Sequence, residues 1–301
     1  MIRRPPRSTH CISSAASDVY KRQAVFFTQY SITPIRLALA FEELGYDSLW
    51  APEHSHIPVS RNSDFPKGGA LPEKYQDVMD PFVTLSVAAA VTTSLKIATG
   101  ICLVVQRDPI QTAKLVASLD QISSGRFLFG VGAGWNSEEM RNHGTDYSTR
   151  MLLLKERLEA MREIWANEHA SYQAKFVKFS KIIANPKPIQ KPHPPIIVGG
   201  AFPYGARRAI AYGDGWIPHA KRPAYDSVID KLSEFRKMAK LAGRNPDSLP
   251  ITVFGVEDDL TTLPRYRDAD VQRVVFSLPS SSEKDILLLL DKYASLMTGL
   301  N

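Results

Sequence analysis

The chain has 301 residues, 44% of them hydrophobic and 23% charged, and a formal net charge of +6. This composition is typical of a globular protein, and no apolar run approaches the roughly 18 residues that a membrane-spanning helix needs. Only two cysteines are present, which argues against a disulfide framework. We therefore expect a soluble cytoplasmic protein without a membrane partner.

Residues 1–23 differ from the rest of the chain, because they have neither helical nor strand periodicity and few aliphatic side chains. Prolines follow Arg3 and Arg4 directly, so the apolar segment of a signal peptide is missing. The stretch resembles a peptide translated from sequencing-adaptor DNA. We expect a disordered, foreign tail at 1–23 and one domain at 24–301. The tail carries five basic residues against one acidic residue, which leaves the domain near +2 and gives little reason to expect a nucleic-acid partner.

From Ala24 onward, short β-rich runs alternate with amphipathic segments of helical period, the pattern of repeated βα units. The helices are signalled by Thr33-Pro34, Asp80-Pro81 and Asp108-Pro109, with a last helix over 283–296. Eight runs fit strands, at 24–28, 48–51, 96–103, 126–131, 195–198, 215–218, 251–256 and 272–277.

Eight such units predict the α/β class and a single (β/α)8 TIM barrel. Two segments are longer than ordinary loops, 53–79 after strand two and 167–194 before strand five, and long loops of this kind are usually functional. We expect both insertion loops to shape the mouth of a pocket. The second contains Phe176–Phe179, which predicts a small hairpin outside the barrel.

Reactive groups in such barrels come from the carboxyl ends of the strands. Strand two ends in Glu53 and His54, and a carboxylate beside an imidazole suits proton transfer, because it can hold the tautomer of the ring. A rim histidine without a chemical role is the alternative. His56 is the weaker candidate of the two histidines.

Two further strand ends are rich in glycine. Gly199-Gly200 precedes a helix, an arrangement that can bind phosphate through backbone amides, although Gly-Gly is also an ordinary turn. The run Gly132–Asn136 does not have the glycine spacing of a dinucleotide loop. Close approach of a planar ring explains these glycines better, and a tight turn with Asn136 as helix N-cap is the alternative.

Four segments resemble a known family in the same order along the chain: DSLWAPEHSHIP (47–58), TGICLVVQRDP (99–109), SSGRFLFGVGAGWN (123–136) and AYGDGW (211–216). They resemble the luciferase-like monooxygenases, most closely the branch that uses the deazaflavin coenzyme F420, over residues 24–296. The resemblance implies that a tricyclic ring lies across strands three and four, with His54 beside it as proton donor or acceptor. It also implies that Glu53 contacts the ring or orients the histidine.

The same resemblance implies a set of cofactor-binding residues. Gly100-Ile101 matches a non-prolyl cis peptide behind the ring, and the amides of Gly199–Ala201 match the phosphate site. The implied set is Thr99, Gly100, Ile101, Gly132, Ala133, Gly134, Trp135, Asn136, Gly199, Gly200 and Ala201.

The function implied is hydride transfer between coenzyme F420 and a small organic substrate. An FMN-dependent monooxygenase that uses reduced flavin and oxygen is the alternative, and a homodimer is compatible with the resemblance. The acidic tail of F420 suits a basic pocket mouth, for which the candidates are Arg107, Lys187, Lys191, Arg207, Arg208, Lys221 and Arg222.

Two hypotheses from other functional classes remain open. His54, His56 and His219 follow strand ends, as the histidine ligands of metal-dependent amidohydrolases do. Such a site also needs a catalytic aspartate after the last strand, and residues 277–280 lack one. We therefore expect no metal. A noncatalytic cofactor carrier is the third reading.

Overall fold

A computed structural model of the protein describes residues 22–256 and 262–298. Its strands are β1 (Arg22–Ala24), β2 (Ser48–Ala51), β3 (Lys96–Thr99), β4 (Cys102–Leu103), β5 (Phe127–Gly132), β6 (Ala170–Gln173), β7 (Lys178–Ile182), β8 (Ile196–Gly199), β9 (Gly215–Ile217), β10 (Thr252–Val256) and β11 (Arg273–Ser277). Its α-helices are α1 (Pro34–Glu43), α2 (Pro81–Ala90), α3 (Pro109–Ile122), α4 (Ser137–Asn142), α5 (Arg150–Ala166), α6 (Tyr204–Tyr212), α7 (Ile229–Leu241), α8 (Leu263–Asp268) and α9 (Glu283–Thr298).

The parallel strands form a nearly closed barrel. Their order is β10-β11-β1-β2-β3-β5-β8-β9, with β4 paired to β5, and all these pairs are parallel. Bridges between Trp216 and Ile251 and between His219 and Phe254 join the two ends of this sheet. The predicted TIM barrel is therefore confirmed.

Two apolar layers stabilise the barrel. One lies between the strands and the helices, and the other fills the barrel interior, where Trp50, Leu128 and Ile197 meet. Alternate strand residues point to opposite faces, so that Leu49 packs on the helix side while Trp50 faces inward.

The helix starts were predicted correctly because they depend on local chemistry. Thr33, Asp80 and Asp108 each accept a hydrogen bond from a backbone N–H in the first turn, and a proline follows each of them. The hairpin predicted near Phe176–Phe179 is confirmed as the antiparallel pair β6 and β7.

The first barrel strand does not lie where the sequence predicted it. β1 spans Arg22–Ala24 rather than 24–28, and Gln23 is fully buried, so the boundary between residues 23 and 24 cuts through a barrel strand. The rest of the predicted tail, residues 1–21, lies outside the described residues.

Predicted strand three is also interrupted. A cis peptide between Gly100 and Ile101 separates β3 from β4, and both pair with β5.

Among the described helices, none is long and apolar enough to cross a membrane.

Candidate active site

A cavity of about 390 Å³ lies at the carboxyl ends of the barrel strands. That volume is within the range of small-molecule sites, about 300–1,000 Å³. The cavity is lined by Phe26, Pro52, His54, Phe65, Pro66, Lys67, Lys74, Tyr75, Gly100, Ile101, Leu103, Gly132, Ala133, Gly134, Trp135, Met151, Leu154, Gly199, Gly200, Arg208, Ile217, His219, Arg222, Phe254 and Ser277.

His54 lies three residues beyond β2 and forms part of the cavity wall. Its Nδ1 atom lies 2.8 Å from Oε2 of Glu139, and the two side chains are only 6% and 0% exposed. A carboxylate at Nδ1 favours the tautomer with the proton on that atom, which leaves Nε2 for a ligand. Nε2 makes no hydrogen bond with the described residues.

Glu139 reaches His54 because of how α4 begins. Asn136 caps this helix by accepting a hydrogen bond from the Glu139 amide at 3.2 Å. The second carboxylate oxygen, Oε1, accepts a hydrogen bond from the Ser55 amide at 3.1 Å. The carboxylate is thus held at both oxygens against the segment that follows β2.

Glu53 does not orient His54, contrary to the expectation from sequence. Its Oε2 accepts a hydrogen bond from the Leu103 amide at 2.7 Å, and its Oε1 accepts one from Nε of Arg107 at 2.5 Å. Burial alone would lower the pKa of Arg107, but attraction to Glu53 outweighs it and raises that pKa. Arg107 also pairs with the exposed Asp80. Through Arg107, the buried Glu53 is therefore connected to the start of α2.

The glycines of the cavity wall make room for one side chain. Ile101 follows the cis peptide, and a Cβ atom at Gly132 would lie 2.0 Å from its Cδ1, while one at Gly199 would lie 3.0 Å away. The two glycines therefore allow Ile101 to lie against the ends of β5 and β8. This leaves an apolar, glycine-rich wall around Ile101 in the cavity.

A basic group adjoins this wall at the start of α6. Gly200 has a φ of +135°, and a Cβ there would lie 2.9 Å from Nη2 of Arg208. No side chain caps α6, and the buried Nε of Arg208 has no hydrogen-bond partner among the described residues. Burial lowers the pKa of Arg208, and the charge of Arg150 adds to this effect.

Eight of the eleven predicted cofactor-binding residues line the cavity, namely Gly100, Ile101, Gly132, Ala133, Gly134, Trp135, Gly199 and Gly200. The other three support it from behind. The Thr99 hydroxyl donates to the Gly130 carbonyl, Asn136 caps α4, and the Ala201 carbonyl accepts from the Gly205 amide.

The basic residues expected at the mouth are only partly found there. Arg208 and Arg222 line this cavity, whereas Lys187 donates to backbone carbonyls and Arg107 is paired with carboxylates. Lys67 and Lys74, which line the cavity, were missed because they lie in the first insertion loop.

The first insertion loop also supplies aromatic side chains that cover His54. The ring centroid of Tyr75 lies 5.3 Å from that of His54 and 5.2 Å from that of Phe65, and Trp135 lies 5.8 Å from His54 on another side. Aromatic residues in a long polar loop were the sequence signal for this cover.

The histidines that suggested an amidohydrolase, His54, His56 and His219, are not arranged as ligands of one metal ion. His56 is hydrogen-bonded to Ser55 and Asn142, apart from the cavity lining. Within residues 22–256 and 262–298, no group of three or more histidine, cysteine or acidic side chains is arranged to hold a metal ion.

The residues present fit a planar ring with an attached phosphate. The glycine-rich wall around Ile101 leaves room for the ring, and Arg208, whose buried Nε has no partner among the described residues, suits the anion beside Gly200 and the uncapped α6. The model of the luciferase-like monooxygenase family matches residues 33–256. The chain belongs to this family.

Two relatives extend the comparison. An uncharacterized protein of Mycobacterium tuberculosis is 38% identical over 280 residues, which cover 90% of this chain and 96% of the relative. The F420-dependent hydroxymycolic acid dehydrogenase of the same organism is 29% identical over 215 residues, covering 70% of this chain and 55% of that protein.

Solved structures share the fold. An F420-dependent secondary alcohol dehydrogenase in complex with an F420-acetone adduct has a TM-score of 0.71 at 18% identity, covering 93% of this chain and 99% of the other. The oxygenating constituent of 3,6-diketocamphane monooxygenase from Pseudomonas putida, in complex with FMN, has a TM-score of 0.59 at 18% identity, covering 82% and 71%. The protein is thus a luciferase-like oxidoreductase with F420-dependent and FMN-dependent neighbours.

Proposed function

We propose that this protein transfers a hydride between coenzyme F420 and a small organic substrate, with His54 as the proton donor or acceptor. The observation that carries the proposal is the buried pair of His54 and Glu139, in which His54 lines a cavity that also has a glycine-rich wall around Ile101. When bound, the coenzyme supplies a carbon centre that gives or accepts the hydride.

The protein residues handle the proton that accompanies the hydride. Glu139 fixes the His54 ring through Nδ1 and stabilises its protonated form, so Nε2 can release a proton to the substrate oxygen or take one from it. Tyr75 and Trp135 lie against the imidazole, and Phe65 packs on both of them, which limits the contact of the imidazole with water. A proton held there is directed to the ligand rather than to solvent.

Two observations favour F420 over FMN. The cavity is lined by Lys67, Lys74, Arg208 and Arg222 without any carboxylate among the described lining residues, which suits a cofactor with an acidic tail. The dehydrogenase relative at 29% identity is also named as F420-dependent. FMN-dependent monooxygenation is the second candidate, because a protein of the same fold binds FMN.

Fluorescence titration of the full chain with F420 and with FMN distinguishes the two cofactors. We expect saturable binding of F420 and at least about tenfold weaker binding of FMN, a difference of about 1.4 kcal/mol. A screen of alcohols and ketones with bound F420 then gives the direction of hydride transfer. Tighter binding of FMN, together with oxygen consumption by the reduced flavin complex, would establish the monooxygenase instead.

A further inference from the structure

The cavity has two chemically different walls. The strands β3, β5 and β8 supply the glycine-rich wall around Ile101. The second wall is formed by the segment after β9, the end of β11 and the first insertion loop, and it carries polar and aromatic side chains, among them Tyr75, His219 and Arg222. The proposed function places the ring of the cofactor on the first wall, which leaves the second wall to the substrate.

Arg222 is held in place on this second wall by a short turn. The backbone amides and carbonyls of Arg222 and Tyr225 bond to each other at 3.1 and 2.9 Å, and the Tyr225 hydroxyl donates to the His219 carbonyl at 3.0 Å. Arg222 and His219 both line the cavity, so the turn fixes two of its polar groups at once.

The donors on this wall lack acceptors. The guanidinium of Arg222, the hydroxyl of Tyr75 and the ring of His219 make no hydrogen bond or ion pair with the residues in 22–256 and 262–298. Partly buried donors without acceptors are unfavourable, and a ligand that carries an oxyanion would satisfy them.

The charge of Arg222 acts on both His219 and Tyr75. Burial, followed by the charges of Arg222 and Lys67, lowers the pKa of His219 to about 3, so the imidazole is neutral at pH 7 and donates one N–H. Burial raises the pKa of Tyr75, while the charge of Arg222 opposes that rise. The wall thus combines one fixed positive charge with two neutral donors.

We propose that Arg222, assisted by Tyr75 and His219, binds an anionic group of the substrate, a carboxylate or a phosphate, on the wall formed by the segment after β9 and the first insertion loop. The proposal rests on the proposed function, since it takes the glycine-rich wall as the place of the cofactor. It defines the substrate class as small organic anions whose reacting carbon lies near His54.

An adjoining cavity of about 960 Å³ gives such a substrate its entry and additional room. The two cavities share Pro66, Lys67, His219 and Arg222 in their linings, so Arg222 lies where they meet. An anion that enters from the outer cavity meets Lys67 and Arg222 before it reaches His54.

The cofactor phosphate has a separate partner in this arrangement. Arg208 adjoins Gly200 at the start of α6, on the glycine-rich wall, whereas Arg222 follows β9. Replacing Arg222 should therefore affect the substrate and leave the affinity for F420 nearly unchanged.

Calorimetric titration tests the proposal with three probes of similar size, namely benzoate, phenyl phosphate and neutral benzyl alcohol. At least one anion should bind wild-type protein about tenfold more tightly than benzyl alcohol, a preference expected from a charge-assisted hydrogen bond. Comparison of benzoate with phenyl phosphate shows which oxyanion the site prefers. If neither anion binds more tightly than benzyl alcohol, the proposal is wrong.

The variant Arg222→Gln should abolish this preference and leave the affinity for F420 within about twofold, and Tyr75→Phe should reduce the preference partly. Arg36→Gln is the matched control, because Arg36 is exposed on α1, pairs with Glu283 and lines neither cavity. If Arg222→Gln weakens F420 binding instead and spares the anion, Arg222 serves the cofactor and the proposal is overturned. If the anion preference is present and depends on Arg222 while F420 fails to bind wild-type protein, the anion site stands and the F420 proposal fails.

Discussion

Glu139 Oε2 lies 2.8 Å from Nδ1 of His54, although 85 residues separate them in the chain. The carboxylate comes from the first turn of α4 after β5, and the imidazole comes from the segment after β2. Barrel closure brings the two together at the same edge, where a fixed imidazole borders the cavity.

The variant Glu139→Gln should reduce kcat/KM about 10- to 100-fold, because the amide keeps the ring in place but no longer stabilises its positive charge. Steady-state measurement of kcat/KM at one pH for the variant and the wild-type protein checks this loss. Glu138→Gln is the control, because this neighbouring carboxylate bonds Ser63 and the Asn62 amide instead. Equal losses in both variants would contradict the role of Glu139.

The variant Glu53→Gln should act on stability more than on chemistry. Its carboxylate pairs with Arg107 in a buried site, and breaking such a pair costs about 3 kcal/mol. Thermal unfolding should show the loss, while the folded variant should keep most of its kcat. A large fall in kcat at unchanged stability would instead make Glu53 a catalytic residue.

The variant Gly132→Ala should weaken cofactor binding and destabilise the fold by about 1–3 kcal/mol, because the new methyl group would overlap Cδ1 of Ile101. The double variant Gly132→Ala with Ile101→Ala removes the overlapping atom. It should recover part of the stability that the single variant lost, as coupled neighbours do. Additive losses in the double variant would show that Gly132 is needed for another reason.

Glu42 should contribute to acid stability. Burial would raise its pKa, but hydrogen bonds from Ser94, Thr93 and the Leu95 amide outweigh it and lower the pKa to about 2. Since the folded pKa lies below the ordinary value of 4.5, the stabilisation is complete above about pH 4.5 and is lost as the pH falls towards 2. Glu42→Gln should lower Tm more at pH 6 than at pH 3, with Glu43→Gln as the control. An equal decrease at both pH values would contradict this assignment.

Much of the barrel could be predicted from the sequence because its signals are local. The helix starts at Thr33, Asp80 and Asp108 follow from capping and proline geometry within a few residues. The strand β1 was misplaced because Gln23 is polar and yet fully buried, so that hydrophobic periodicity did not indicate it.

The candidate site was predictable only where a strand end itself provides the group. His54 and the glycines at 132, 199 and 200 satisfy this condition. Glu139 was missed because in sequence it looks like an ordinary acidic residue in the first turn of a helix, and its pairing with His54 depends on barrel closure. The sequence did not predict that Tyr75 and Arg222 line the same cavity, because the path of a long insertion loop is not encoded in periodicity.

The proposed function makes His54 the group that transfers the proton accompanying hydride transfer to or from F420. This role is tested by comparing turnover and F420 affinity in His54→Gln with those in His56→Gln, whose side chain bonds Ser55 and Asn142. We expect His54→Gln to keep F420 affinity within about threefold and to lose at least about 100-fold in kcat, whereas His56→Gln should retain both. Full turnover in His54→Gln with F420 bound would contradict it.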